Sequence, residues 1–244
     1  MTSIVRNVRE RADACPGVLT LHAAADGGLA RVRLPGGVIS SQQLSILADI
    51  SAELGDGRLE LTSRANLQVR GLADGAAIEL GSRLTAGGLL RSTTHERVRN
   101  IIASPLSGID GLGADVSGVA AELDRELCAR PELAGLPGRF LFGLDDGRGD
   151  VAALGADVLL VGHGSDATVG PFVVALQDAV ATMLALAEAF LRVRSEQRSG
   201  AWRIAELAGG GVAVAERAKD SVRAIRLAAP SADLALAAGA LAPG

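Results

Sequence analysis

The residues Thr62-Ser63-Arg64-Ala65-Asn66-Leu67-Gln68 place hydroxyls, amides and a guanidinium within one short stretch. Set in a turn between two strands, they can offer many hydrogen-bond donors to a single anionic ligand. The plainer reading of the same stretch is a polar hairpin turn. His95 stands just before Arg97 and Arg99 and could donate to a ligand carboxylate, or be a surface-loop histidine. His163, between two glycines at the end of a strand-like run, reads more readily as structural, and His22 has no evident partner. Asp145, Asp146 and Asp150 have the residue types of a cation site, but their glycine-containing spacing is commoner in hairpin turns. Gly209-Gly210-Gly211 lacks the lysine and helix pattern of a phosphate loop and is expected to be a flexible connection.

Composition narrows the classes. The chain has 244 residues, 48% of them hydrophobic and 21% charged, which fits a globular protein with a core of its own. A net charge of -4 argues against general nucleic-acid binding. With four Phe, one Trp and no Tyr, the core must be built from aliphatic side chains, and stacking platforms for single strands are not expected. Lys219 is the sole lysine, so the positive charge is almost wholly arginine, which grips carboxylates bidentately and stays protonated. Cys15 and Cys128 form neither a CxxC unit nor a metal-ligand cluster. The polar leader Met1–Cys15 does not read as a signal peptide, and the apolar run Val169–Val193 carries charges that mark it as a buried helix. The protein is expected in the cytoplasm, with no membrane and no nucleic acid among its partners.

These residues need elements to position them. Leu29–Leu34 alternates as a half-buried strand, and Pro35-Gly36-Gly37 breaks it. Ser40 and Gln43 have capping-box spacing ahead of a helix with Leu44, Leu47, Ile50 and Leu54 on one face, ended by Gly55. Arg58–Thr62 and Leu67–Leu72 read as an antiparallel pair joined by Ser63–Asn66. A second helix runs from Asp74 to about Thr85, and Leu89–Arg91 or Val98–Ala103 is expected to supply the closing strand. The order β-α-β-β-α-β is the split βαβ, ferredoxin-like arrangement. Further on come a helix near Val116–Ala129, strands at Phe140–Leu144 and Val158–Val161, and a long helix over Pro171–Val193. Trp202–Leu207 and Val212–Arg217 have no clear assignment and precede an Ala-rich tail. The expected class is α+β, with a boundary near residue 92 between a unit 1–91 and a larger unit 92–244.

Several motifs in order carry a family resemblance. Leu61–Gln68 resembles the T-[TS]-R-x-x-[LIF]-Q signature of nitrite and sulfite reductase half-domains. Arg99-Asn100-Ile101, with Ser104-Pro105-Leu106 behind it, resembles the R-N-[VI] element that opens their tetrapyrrole-binding α/β domain. Leu136-Pro137-Gly138-Arg139-Phe140 resembles a third element, LPRKF. CPGVLTLHAAADGGLARVRLPGG and GRFLFGLDDGRGDV are most similar to the precorrin-3B synthase branch.

The resemblance implies a ring of arginines gripping the carboxylates of a tetrapyrrole, either sirohaem or a precorrin. Arg64 and Gln68 would act from the hairpin with Asn66 beside them, Arg99 and Asn100 from the next element, and Arg139 from the following strand. Arg97 and Arg70 are equally open to a ligand role and to a solvated one. Where the reductases carry a second basic residue two positions after the one matched by Arg139, this chain has Leu141, which weakens the case for sulfite or nitrite reduction. The family normally has two such halves, with a [4Fe–4S] cluster held by paired cysteines in the second. This chain stops at Gly239–Gly244 where that half would begin, so the expectation is an N-terminal half without cluster ligands, since such a cluster takes four thiolates. The implied function is the oxidoreductase half of a precorrin-3B synthase of aerobic cobalamin biosynthesis, oxidising a precorrin with molecular oxygen. It would act with a second chain carrying the Fe–S half, or as a homodimer. The alternative is a non-catalytic tetrapyrrole-binding protein or degenerate paralogue, and the third reading is a sulfite or nitrite reductase component.

Overall fold

The computed structural model describes residues 15–227; most of the polar leader and the Ala-rich tail Gly239–Gly244 lie outside the described residues. Strands β1 (His22–Ala24) and β2 (Gly27–Val32) form a hairpin, followed by helix α1 (Ser41–Leu54), β3 (Leu59–Leu61), β4 (Leu67–Leu72) and helix α2 (Ala77–Ala86). The capping box forms as its spacing predicts. Gln43 N donates to Ser40 Oγ at 3.1 Å, and Ser40 N donates back to Gln43 Oε1 at 3.1 Å. Gly55 ends α1 where a Cβ would lie 2.4 Å from Arg70 O, so no larger residue fits without a shift.

The four-stranded sheet has the antiparallel order β1-β2-β4-β3. One face, with Ala30, Val32, Leu67 and Val69, packs against Leu47, Ile50, Leu80 and Leu84 of α1 and α2 in a core of its own. The other carries Arg31 opposite Gln68, with Gln68 in turn opposite Glu60. The expected closing strand is not where the sequence placed it. Leu89–Arg91 is not a strand, and Ile101–Ala103 belongs to the second sheet. The edge beside β2 is taken by β1, from the N-terminal side, which leaves no vacancy for a later strand.

The second sheet has the order β10-β9-β8-β7-β6-β5. β5 (Ile101–Ala103), β6 (Phe142–Asp145) and β7 (Val158–His163) run parallel; β8 (Asp166–Val169), β9 (Phe172–Ala175) and β10 (Arg226–Leu227) continue antiparallel. Helices α3 (Ser117–Cys128) and α4 (Ala179–Glu196) cover one face, closing a core around Phe140, Phe142 and Phe190. The long helix is thus shorter than expected. Gly170-Pro171 turns the chain, and Phe172–Ala175 pairs with β8 instead; a continuous apolar run does not by itself separate buried strand from buried helix. The glycine triplet is not a flexible connection either. Gly209 adopts φ 77° as the N-cap of helix α5 (Gly210–Ala218). No helix among the described residues is long and apolar enough to cross a membrane.

The two sheets interlock at Pro35-Gly36-Gly37. Both glycines have φ 71°, and a Cβ on Gly36 would stand 2.9 Å from Ala120 Cβ of α3. Ala65, at the tip of the β3–β4 hairpin, packs on a small apolar cluster of Ile102, Leu141 and Val151 on the second sheet's other face.

Candidate anion-binding cleft

That docking leaves a cleft of about 530 Å³ between the polar face of the first sheet and the residues around Arg139 and Trp202. Its walls are His22 of β1, Arg31 of β2, Thr62, Ser63 and Arg64 of the hairpin turn, the Cys15-Pro16 segment, Arg139 just before β6, and Trp202.

Three guanidiniums open onto this space and a fourth stands behind it. Arg31 Nη2 donates to Gln68 Oε1 at 2.7 Å. Arg64 Nη1 donates to Arg139 O at 3.3 Å, so the hairpin arginine is tied to the backbone of the next cationic residue. Arg33 is 3% exposed; its Nη2 donates to Cys15 Sγ at 3.3 Å and to the carbonyls of Pro16 and Arg97 at 3.4 and 3.3 Å. Its Nε and Nη1 are buried without a hydrogen-bond partner, as is Arg31 Nε. Burial pulls the Arg33 pKa below the ordinary arginine value, and burial together with repulsion from Arg203 does the same for Arg64. Both guanidiniums are thus cations held partly out of water. A carboxylate entering the cleft would face the guanidiniums of Arg31, Arg64 and Arg139.

The cleft gathers some of the residues expected from the sequence and leaves others out. Arg64 and Arg139 line it together. Gln68 stands one layer back, orienting Arg31 and donating to Glu60 Oε2 at 3.2 Å. Asn66 is buried; its Oδ1 accepts from Leu34 N at 2.9 Å and fixes the hairpin against the end of β2, while its Nδ2 has no hydrogen-bond partner. Arg99 is 4% exposed and locked to Asp124 by hydrogen bonds of 2.5 and 2.9 Å; it joins α3 to the chain entering β5. Asn100 donates to Gly138 O at 2.8 Å and Phe140 O at 3.3 Å, holding the Arg139 segment from beneath. These three expected ligand residues are thus buried and bonded within the chain, away from the open space of the cleft. Arg97 is half-buried, and its carbonyl accepts from Arg33 and Asn100. Arg70 is paired bidentately with Asp26 at 2.8 and 2.9 Å and does not line the cleft.

The remaining candidates resolve simply. His95 is buried, its Nδ1 within 2.9 Å of the Ser92 and Thr94 hydroxyls and its Nε2 2.9 Å from Arg130 O. His163 is exposed and bonded to Thr168. Both carboxylate oxygens of Asp145 accept backbone N–H groups, from Gly147, Gly149, Val151 and Ala152, each at 2.9 Å. Asp146 pairs with Arg148, and Asp150 accepts from Ser104 Oγ at 2.5 Å. The three carboxylates are engaged within the turn and bring one oxygen each to within 4.8 Å of one another, with Asp146 Oδ2 left to its ion pair with Arg148. Cys15 lies in the cleft and Cys128 at the end of α3, so they supply two separated thiols where an iron–sulfur cluster takes four.

Arg31, Arg33, Cys15 and Trp202 were missed as site residues. The signal for the two arginines is the period of two in Leu29–Leu34, which sets both on the strand face opposite Ala30 and Val32. Nothing local marks Trp202.

Residues 22–87 match the family model of the nitrite/sulfite reductase ferredoxin-like half domain. The chain is 35% identical over 127 residues to a ferredoxin–nitrite reductase of Synechococcus elongatus, covering 49% of this chain and 25% of that protein. It is 34% identical over 150 residues to sulfite reductase [ferredoxin] 2 of Mycolicibacterium paratuberculosis, covering 57% and 27%. Against a precorrin-3B synthase of Sinorhizobium sp it is 31% identical over 152 residues, covering 62% and 32%. The solved structure of the Mycobacterium tuberculosis NirA protein superposes with a TM-score of 0.55 at 23% identity, over 67% of this chain and 34% of that one. The matches thus span about a third or less of each relative's length.

Proposed function

We propose, from the premise that residues 22–87 of this chain are a nitrite/sulfite reductase ferredoxin-like half domain, that the cleft between its two sheets binds a polycarboxylate tetrapyrrole. The observation that carries this reading is the convergence of Arg31, Arg64 and Arg139 on one open space, with the undercompensated Arg33 behind them. A macrocycle edged with acetate and propionate arms offers what those guanidiniums lack, and bidentate N–H···O pairing suits them better than it would lysine. In this reading Arg31, Arg64 and Arg139 hold carboxylate arms, Gln68 orients Arg31, and Asn66 and Asn100 fix the loops that carry Arg64 and Arg139. A bound sirohaem would supply redox chemistry at its metal; a precorrin would be substrate.

Among the activities named for the relatives, a precorrin-3B synthase-type role in cobalamin biosynthesis is the one we favour. Leu141, where a second basic residue would serve anion reduction, is 2% exposed and packed with Ile102 and Val151, so that position is apolar by construction. We further propose an oxidoreductase whose cluster thiolates come from outside these 244 residues, on a partner carrying the Fe–S half. Residues 1–91 and 92–244 are proposed as its two units here. Nitrite or sulfite reduction is the second reading, favoured by the higher identity to the nitrite reductase.

The test is an absorbance titration of the purified chain with sirohaem and with a precorrin. The expected result is a saturable shift of the ligand's absorption bands, with Arg64→Ala and Arg31→Ala each weakening affinity by about tenfold or more, the size of a hydrogen bond to a charged group. No shift with either ligand would overturn the proposal.

A further inference from the structure

Aromatic side chains are rare here and almost all of them are committed to the core. Phe140, Phe142, Phe172 and Phe190, the chain's four phenylalanines, are each no more than 3% exposed. Trp202 is the exception: it is half-buried, and it lines the cationic cleft. The Arg139 guanidinium lies over its ring, 5.2 Å from the centroid. Arg139 is exposed, and among the described residues no carboxylate forms an ion pair with it. Arg31 and Arg33 are held by side-chain and carbonyl acceptors, but Arg139 has the indole face.

One buried carboxylate fixes both halves of that stack. Asp157 Oδ2 accepts from Leu141 N at 2.9 Å, two residues after Arg139. Its Oδ1 accepts from Ile204 N at 2.8 Å, two residues after Trp202, and Arg203 Nε lies 2.6 Å from Oδ2. The Trp202 backbone N–H also donates to Glu206 Oε2 at 2.7 Å. The backbones bearing the guanidinium and the indole are therefore registered against each other from below.

We infer that Trp202 is a positioning residue for Arg139: its ring holds the guanidinium over the cleft, pre-oriented for a ligand carboxylate without neutralising it. An acidic partner would hold Arg139 equally well but would compete with the ligand's own carboxylates, and a π face does not. The inference rests on the proposal that the cleft takes a polycarboxylate tetrapyrrole.

Because Trp202 is the single tryptophan, its emission reports the stack directly. Acrylamide quenching of the ligand-free protein is expected to rise when Arg139→Ala uncovers the ring; an unchanged quenching constant would overturn the inference. In the sirohaem titration, Trp202→Ala should weaken affinity about two- to fivefold, the range of an exposed cation–π contact, and Trp202→Phe should recover most of it. In an Arg139→Ala background the Trp202→Ala change should cost nothing further. An equal loss in both backgrounds would mean that Trp202 acts without Arg139, and would overturn the positioning role. If Trp202→Ala does not fold, the Trp202→Phe titration and the quenching measurement decide. A wild-type protein giving no Soret change would instead overturn the tetrapyrrole reading, and a rise in quenching alongside it would show that the stack exists but serves another ligand.

Discussion

Arg33 is buried with two of its nitrogens unpartnered, and this fixes the sign of its energetics. An uncompensated internal cation destabilises the ligand-free protein, and a neutral side chain of similar length removes that penalty. Arg33→Met is therefore expected to leave thermal stability unchanged or raised, while weakening tetrapyrrole affinity by more than tenfold; melting curves and the Soret titration check the two halves. Opposite signs in stability and binding separate a cation short of counter-charge behind the cleft from a strut such as Arg99, which Asp124 compensates. Residue types at the site were legible in the sequence, but their directions were not. Arg99 and Arg139 carry the same guanidinium, and what separates them is Asp124 on α3, which only the folded chain brings to Arg99. Asn66 and Asn100 likewise find backbone groups far away in sequence, and no local pattern announces such partners. Arg31 and Arg33 are the reverse case: the period of the strand sets both on its polar face, but nothing in that period marks a cleft there.

Elements whose signals are local were the most readable. The Ser40–Gln43 box, the Gly55 stop and the β3–β4 hairpin all stand where sequence put them, because each is decided by residues a few positions apart. Elements decided by competition were not. The edge beside β2 could be filled from either side along the chain, and β9 is apolar enough to pass for helix. The turn after β6 gives a test at this scale. Burial opposes ionisation of Asp145, but four backbone hydrogen bonds outweigh it and hold its carboxyl below the ordinary Asp range. With the folded pKa depressed, its stabilisation is present above the unfolded pKa of about 3.9 and is lost as pH falls through the folded value. Asp145→Asn faces an amide toward N–H groups and is expected to cost about 1–3 kcal/mol at pH 7. The difference between variant and wild type should shrink below pH ~4, read by denaturant melts across that window. A difference that stayed constant with pH would refute the account.

At the scale of the whole molecule, two hydrophobic cores meet where Ala65 and the Pro35-Gly36-Gly37 turn pack against the second sheet and α3. One draws on residues between Val18 and Leu90, the other on residues from Val98 onward. The cleft takes its walls from both, so its geometry depends on how tightly that junction closes. Gly36→Ala tests this. Its φ of 71° disfavours any side chain, and the added methyl would meet Ala120 at 2.9 Å. The expected cost is about 1–3 kcal/mol, with a proportionate weakening of tetrapyrrole affinity as α3 and the first sheet move apart. Full affinity in a destabilised Gly36→Ala protein would show that the cleft is set by the hairpin and the Arg139 segment without help from this junction.

The placement of β1 also bears on how the chain is made. Were the last sheet position filled by a strand after α2, the four-stranded layer would wait for residues near 100 to emerge from the ribosome. With β1 ahead of β2, every strand of that layer lies between His22 and Leu72. The first sheet can thus pair fully while the second is still being synthesised, and the nascent polypeptide then presents a finished surface on which the later layer assembles.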